Sequence, residues 1–192
     1  MKNILLTGER DNFCVLRKSY RNTVEIANFA SDILAHGEFP GYGAEPVIRH
    51  GEAVGIRQTA GRDLYREAAK ICKGWQTDGF DTIAVICRDQ KQAQETAELL
   101  QKELPVMPWD PEKASFEKGI MVFPVEYTKG LEFDAVLLLS PDRESYPIDD
   151  GHAKLLYVAA TRALHRLEVL HTGNLTGLIA DPIPKKNKKR VS

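Results

Sequence analysis

Four short runs of almost unbroken apolar residues constrain this chain more than any other feature: TIAVICR (82–88), GIMVFPV (119–125), DAVLLLS (134–140) and LEVLH (167–171). A strand with one wet face alternates apolar and polar residues, whereas a run without alternation is a strand covered on both faces. The stretches between them carry helical spacing. Residues 22–35 place Val24, Ile26, Ala27, Phe29, Ala30, Ile33 and Leu34 on one stripe, and 62–77 place Leu64, Ala68, Ile71, Cys72 and Trp75 on one face. Residues 91–104 turn Ala93, Ala97 and Leu100 inward, and a further helix is expected over 150–164. Strands alternating with helices predict a mostly parallel sheet between two helical layers, a three-layer α/β fold. Further strand candidates lie at 2–6, 13–16 and 53–59, and about six strands are expected to share one sheet. GEFPGYGAEP (37–46) and the proline-rich PVMPWDPEKASFEK (105–118) are expected as connections. No internal repeat is present. Residues 1–180 are expected to form one domain, and 181–192, with the basic run Lys185 to Arg190, a disordered tail.

Charge removes some classes of function. With 26 basic and 27 acidic residues, no global field draws the molecule to nucleic acid or membrane, so any such contact is local. Cys14, Cys72 and Cys87 are widely spaced and odd in number, which suits reduced structural thiols and a cytoplasmic location better than a disulfide framework or a metal site. No apolar run approaches the roughly 18 residues of a membrane span, and MKNILLTGERDN charges too quickly for a signal peptide.

Three loop-edge segments carry candidate chemistry. In EYTKGLEFDAV (126–136), Lys129 offers a point charge, Gly130 lets backbone N–H groups approach an anion, and Glu132 can accept from a ribose. In a doubly wound sheet such loops are expected at the carboxyl ends of strands. Tyr20 and Arg21 precede the helix at 22–35, and Thr161-Arg162 lie where a helix runs into a strand. Arginine grips phosphate oxygens bidentately, and a neighbouring tyrosine presents a flat face to a base. Each also has an ordinary reading: exposed loop charges for the first, a core tyrosine for Tyr20, a helix C-terminal cap for Arg162.

Taken together and in this order, the segments resemble the second RecA-like motor domain of superfamily 1 DNA helicases of the UvrD/Rep class. Ser19-Tyr20-Arg21-Asn22-Thr23 is similar to the family's Asn-Tyr-Arg-Ser-Thr, and Pro124 to Phe133 to its Thr-x-His-x-Ala-Lys-Gly-Leu-Glu-Phe. Tyr157-Val-Ala-Ala-Thr-Arg-Ala163 reproduces its Tyr-Val-x-x-Thr-Arg-Ala, and the likeness spans about residues 16–172. The resemblance implies a RecA-like, P-loop NTPase-type domain and one half of an ATP site. In that half Tyr20 stacks on adenine, Arg21 and Arg162 reach the γ-phosphate as catalytic arginines, and Lys129, Gly130 and Glu132 contact phosphate and ribose. The partners it implies are the first RecA-like domain, which would bring the phosphate loop and Mg²⁺, and single-stranded DNA.

The sequence departs from that family in ways that bear on function. No Gly-x-x-x-x-Gly-Lys-[Ser/Thr] occurs, so this chain alone is expected not to hydrolyse ATP. Only about 14 residues stand where the family carries an accessory insertion, a short connection most like the HelD-type branch, whose members associate with bacterial RNA polymerase; short-linker DNA helicases resemble it nearly as well. Glu126 replaces the family histidine and Pro124 its threonine, and a carboxylate there repels phosphates. The rival of another class is a non-catalytic module docking on RNA polymerase or another partner, and a free-standing nucleotide hydrolase is disfavoured by the missing phosphate loop.

Other candidates have plainer explanations. Asp149-Asp150 read as helix N-terminal carboxylates before they read as a metal pair. Glu132 and Asp134 lie two apart on an extended segment and form no expected acid/base pair. His36, His50, His152, His165 and His171 lack metal-ligand spacing, so no metal site is expected. Trp109, Tyr127 and Tyr146 are loop aromatics for which base stacking is the less economical role.

Overall fold

A computed structural model describes residues 18–19, 22–36, 45–46, 49–108 and 118–179. The elements in chain order are β1 (Lys18–Ser19), α1 (Val24–His36), β2 (Glu45–Pro46), β3 (Gly55–Gln58), α2 (Leu64–Thr77), β4 (Thr82–Cys87), α3 (Gln90–Leu100), β5 (Met107–Pro108), β6 (Gly119–Pro124), β7 (Phe133–Leu139), α4 (Asp150–Ala160) and β8 (Ala163–His171). β1 and β2 form a small parallel pair of their own. The other six strands make one sheet in the order β3-β8-β7-β4-β6-β5, with every pairing parallel.

The unbroken apolar runs are the central strands, and their residues divide between two cores. Ala84, Ile86, Met121, Phe123, Val136 and Leu138 join α1 and α4 on one face. Ile83, Val85, Cys87, Ile120, Val122, Ala135, Leu137 and Leu139 join α2 and α3 on the other. Side chains alternate across a strand, so a strand apolar at every position must be covered twice. The expected helix faces are buried: Leu64, Ala68, Ile71, Cys72 and Trp75 on α2, and Ala93, Ala97 and Leu100 on α3. On α1, Ile26, Ala27, Ala30 and Ile33 are buried, while Phe29 and Leu34 pack at the margin.

Helix starts follow local side-chain chemistry. Asp89 caps α3 by accepting from the Gln92 N–H at 2.9 Å, and Gln92 Oε1 accepts from the Arg88 N–H at 2.6 Å. Asp149 caps α4, accepting from the His152 N–H at 2.9 Å and facing His152 Nδ1 at 2.7 Å, so the Asp149-Asp150 pair begins a helix.

The structure corrects several boundaries. The connection 105–118 contains β5, whose Met107 and Pro108 pair with Met121 and Val122 at the sheet margin, where a missing proline N–H costs least. The turn region 37–46 ends in β2. Helix 91–104 stops at Leu100, and helix 150–164 stops at Ala160 because Ala163, Leu164 and His165 already belong to β8. The strands expected at 2–6 and 13–16, and the tail 181–192, lie outside the described residues. No helix among the described residues is long and apolar enough to cross a membrane.

Candidate functional site

The segment after β6 tightens into a 3-10 turn, Val125–Thr128, held by Thr128 Oγ1 donating to the Val125 carbonyl at 2.7 Å. Lys129 and Gly130 follow as exposed residues, and Leu131 and Glu132 are half-buried. Gly130 has φ +84°, and a Cβ built on it would meet nothing within 4 Å. Glycine is therefore required for backbone conformation, while the space above it stays open to a ligand.

The strands on either side of this segment are parallel, so it starts at the carboxyl end of β6 and ends at the amino end of β7. Phe133 pairs with Ala163, the first residue of β8. Glu132 and Arg162, each one residue upstream of that pair, are thereby brought side by side at the amino edge of the sheet. The expectation of a carboxyl-end loop holds only for its beginning; the crossover carries the remaining residues to the opposite edge.

Arg162 is fixed from several directions. Its N–H donates to the Ala159 carbonyl at 3.2 Å, and its carbonyl accepts from the Phe133 N–H at 2.9 Å. Its Nε donates to the Val158 carbonyl at 3.0 Å and its Nη1 to the Leu131 carbonyl at 3.1 Å, inside the Lys129–Glu132 segment. Thr161 stops α4 by turning its hydroxyl back onto the carbonyls of Tyr157 and Val158, at 2.9 and 3.0 Å. Two motifs separated by 31 residues thus share one hydrogen-bonded unit.

The third motif reaches the same unit through a residue that sequence reasoning did not single out. Asn22, only 5% exposed, donates from Nδ2 to the Thr161 carbonyl at 2.9 Å and to the Ala163 carbonyl at 2.5 Å. Those two carbonyls bracket Arg162. Asn22 stands at the start of the helix expected over 22–35, and its spacing carries no signal of a bond to backbone 139 residues away. Tyr20 and Arg21, immediately upstream, lie outside the described residues. Close by, Arg49 donates from Nη2 to the Leu164 carbonyl at 2.6 Å, beside an open cleft of about 490 Å³ lined in part by Thr23, His50, Asp134 and His165.

Asp134 has a structural task. Its Oδ2 accepts from the Asp81 N–H at 3.1 Å, the Thr82 N–H at 2.8 Å and the Thr82 hydroxyl at 2.9 Å, latching the start of β7 to the start of β4. Tyr146 is 3% exposed under the Arg88 guanidinium, 5.4 Å from its ring centre, and burial raises its phenol above the ordinary range. It is a core residue and is removed from the stacking candidates. Tyr127 is 43% exposed, and Trp109 lies outside the described residues. The histidines meet separate partners: His36 the Asp32 carbonyl, His50 Glu25, His152 Asp149, His165 the ring of Phe80, His171 the Gly173 carbonyl. No group of three or more metal-ligating side chains occurs among the described residues.

Residues 119–170, which hold both the Lys-Gly-Leu-Glu-Phe segment and Arg162, match the UvrD-like helicase C-terminal domain family. Among solved structures, the chain is similar to the C-terminal domain of a possible DNA helicase from a Lactobacillus strain, WCFS1. That likeness has 25% identity and a TM-score of 0.69, and it covers 84% of this chain and 92% of the other. No curated protein matches the chain.

Proposed function

We propose that this domain supplies the trans half of a composite ATP site in a DNA helicase or translocase motor. In this reading Arg162, with Arg21, approaches the γ-phosphate of ATP held by a second RecA-like domain, Lys129 and the backbone at Gly130 face phosphate, Glu132 accepts from ribose and Tyr20 stacks on adenine. The observation that carries the reading is the bond from Arg162 to the Leu131 carbonyl, which joins a cation to a glycine loop with open space above it. The amino edge suits such a role. A domain that holds its own nucleotide does so at the carboxyl edge, whereas one that completes a neighbour's site can use the opposite side.

Charge spreads over the equatorial oxygens of the transferred phosphoryl group, and a guanidinium aimed there in advance neutralises it without reorganising. Mg²⁺ does not fit this half, whose proposed contacts are a lysine, two arginines and one carboxylate, with no group of three metal-ligating side chains among the described residues; we assign the ion to the domain with the phosphate loop. In a polypeptide joining both domains, Arg162→Ala should lower kcat for ATP about 10³-fold with a much smaller change in KM, because the contact strengthens in the transition state. An unchanged kcat would remove Arg162 from the reaction.

A second reading is favoured by one residue. Glu126 is exposed in the 3-10 turn after β6, at the position where the family that the sequence resembles has histidine. An exposed carboxylate there disfavours the phosphates of a single strand and suits a HelD-type motor working on RNA polymerase. ATP turnover stimulated severalfold by single-stranded DNA supports the helicase reading, and turnover indifferent to DNA supports the polymerase one.

A further inference from the structure

We infer that Asn22 is the positioning residue of Arg162, the strut that sets where its guanidinium points. The inference rests on the reading of Arg162 as the trans-acting arginine. Only a carboxamide among short side chains carries two N–H groups on one nitrogen, and Asn22 directs both at the carbonyls on either side of Arg162. The Thr161 carbonyl belongs to the end of α4, where carbonyls lose their in-helix donors, so Asn22 satisfies a group that the helix leaves open.

With those bonds made, the turn between α4 and β8 is held on every side. Arg162 N–H is taken by Ala159, its carbonyl by Phe133, and its two neighbours by Asn22. The side chain then leaves a fixed backbone and is steered by the Val158 and Leu131 carbonyls. Without Asn22 the two carbonyls, one in a buried bond and the other in a part-buried one, lose this donor, and the turn can rotate. Because a long side chain amplifies such a rotation at its tip, a displacement of about 1 Å at the guanidinium is enough to cost about 10²-fold in a positioned reaction.

The test separates positioning from general stability. In the 192-residue chain, hydrogen exchange of the Arg162 Nε–H, held by the Val158 carbonyl, is followed by NMR beside that of the Arg88 Nε–H, which donates to the Ser145 carbonyl at 3.0 Å and serves as control. Asn22→Ala is expected to speed exchange at Arg162 about tenfold or more while Arg88 changes less than about twofold, the pattern of a local opening. Asn22→Ser, which keeps one donor, should fall between. Arg162 exchange within about twofold of the parent overturns the inference, and so does equal acceleration at both arginines. In the two-domain polypeptide Asn22→Ala should lower kcat about 10- to 100-fold at nearly constant KM, and add no loss on an Arg162→Ala background. An additive loss would mean that Asn22 does not act through Arg162. Arg162→Ala with unchanged kcat would refute the ATP-site reading, and the exchange experiment would still decide Asn22.

Discussion

Asp134→Ala tests whether the acidic residue of Leu-Glu-Phe-Asp is a latch rather than a chemical group. In the parent, one carboxylate oxygen takes three donors from Asp81 and Thr82, and the Thr82 hydroxyl in turn accepts from the Asp134 N–H at 2.9 Å. Bonds to a charged acceptor contribute roughly 1.5–3 kcal/mol each when fully withdrawn from water. The Asp134 side chain is 26% exposed, and water can replace part of what is lost, so the expected cost is about 2–4 kcal/mol rather than the sum of three bonds. For a chain of this length that corresponds to a Tm lower by about 5–12 °C, readable by calorimetry or circular dichroism. Asp134→Asn keeps an oxygen acceptor and should cost about 1 kcal/mol. A Tm within about 1 °C of the parent for Asp134→Ala would refute the latch.

The remaining predictions address single groups. Cys72 and Cys87 are buried, and desolvation pushes each thiol from an ordinary 9.0 up to about 12, so a thiol reagent at pH 8 should modify them only after denaturant is added. The folded state holds their protons more tightly, so their contribution to stability is intact below pH 9.0 and is lost as pH rises towards about 12. Glu25 is held down to about 2 by its hydrogen bond with His50 and then by the Gly51 N–H; its contribution is present above pH 4.5 and lost as pH falls towards about 2. Acid unfolding of Glu25→Gln should accordingly lack that component, and an unchanged acid limb would contradict it. Gly130→Ala should cost about 1 kcal/mol in chemical denaturation, because φ +84° strains an L residue even though its Cβ meets no neighbour within 4 Å; no loss would mean the loop relaxes.

The sheet was legible because its central strands are covered on both faces, and burial on both faces writes itself into consecutive residues such as Ile83 to Cys87. The helix faces were legible for the same reason, through spacing. Short pairings were not. β5 has only Met107 and Pro108 to contribute, and no hydrophobic period can be read from two residues in a proline-rich stretch. The end of α4 was misjudged because Ala163, Leu164 and His165 suit a helix as well as a strand; the hydroxyl of Thr161, folded back on α4, and the pairing of Ala163 with Phe133 decide the matter. At the site, Lys129, Gly130, Glu132 and Arg162 were visible as types of residue. Asn22 and Asp134 were not, because their roles lie in bonds to backbone groups far along the chain.

Those backbone bonds explain why the amino edge can carry a rigid feature at all. In a parallel sheet the amino ends receive chain arriving from helices, and each arrival is a turn free to pivot unless something holds it. Here two arrivals are pinned to each other and to a third segment. Phe133 N–H takes the Arg162 carbonyl, Arg162 Nη1 takes the Leu131 carbonyl, and Asn22 takes the carbonyls of Thr161 and Ala163. Asp134 fastens the first of these strands to β4 in the centre of the sheet. An arginine mounted this way is held to the sheet by its own backbone and by its side chain. If Arg162 completes an ATP site on a second domain, as proposed, its cation arrives or withdraws with domain closure, and closure is the step that ATP would control.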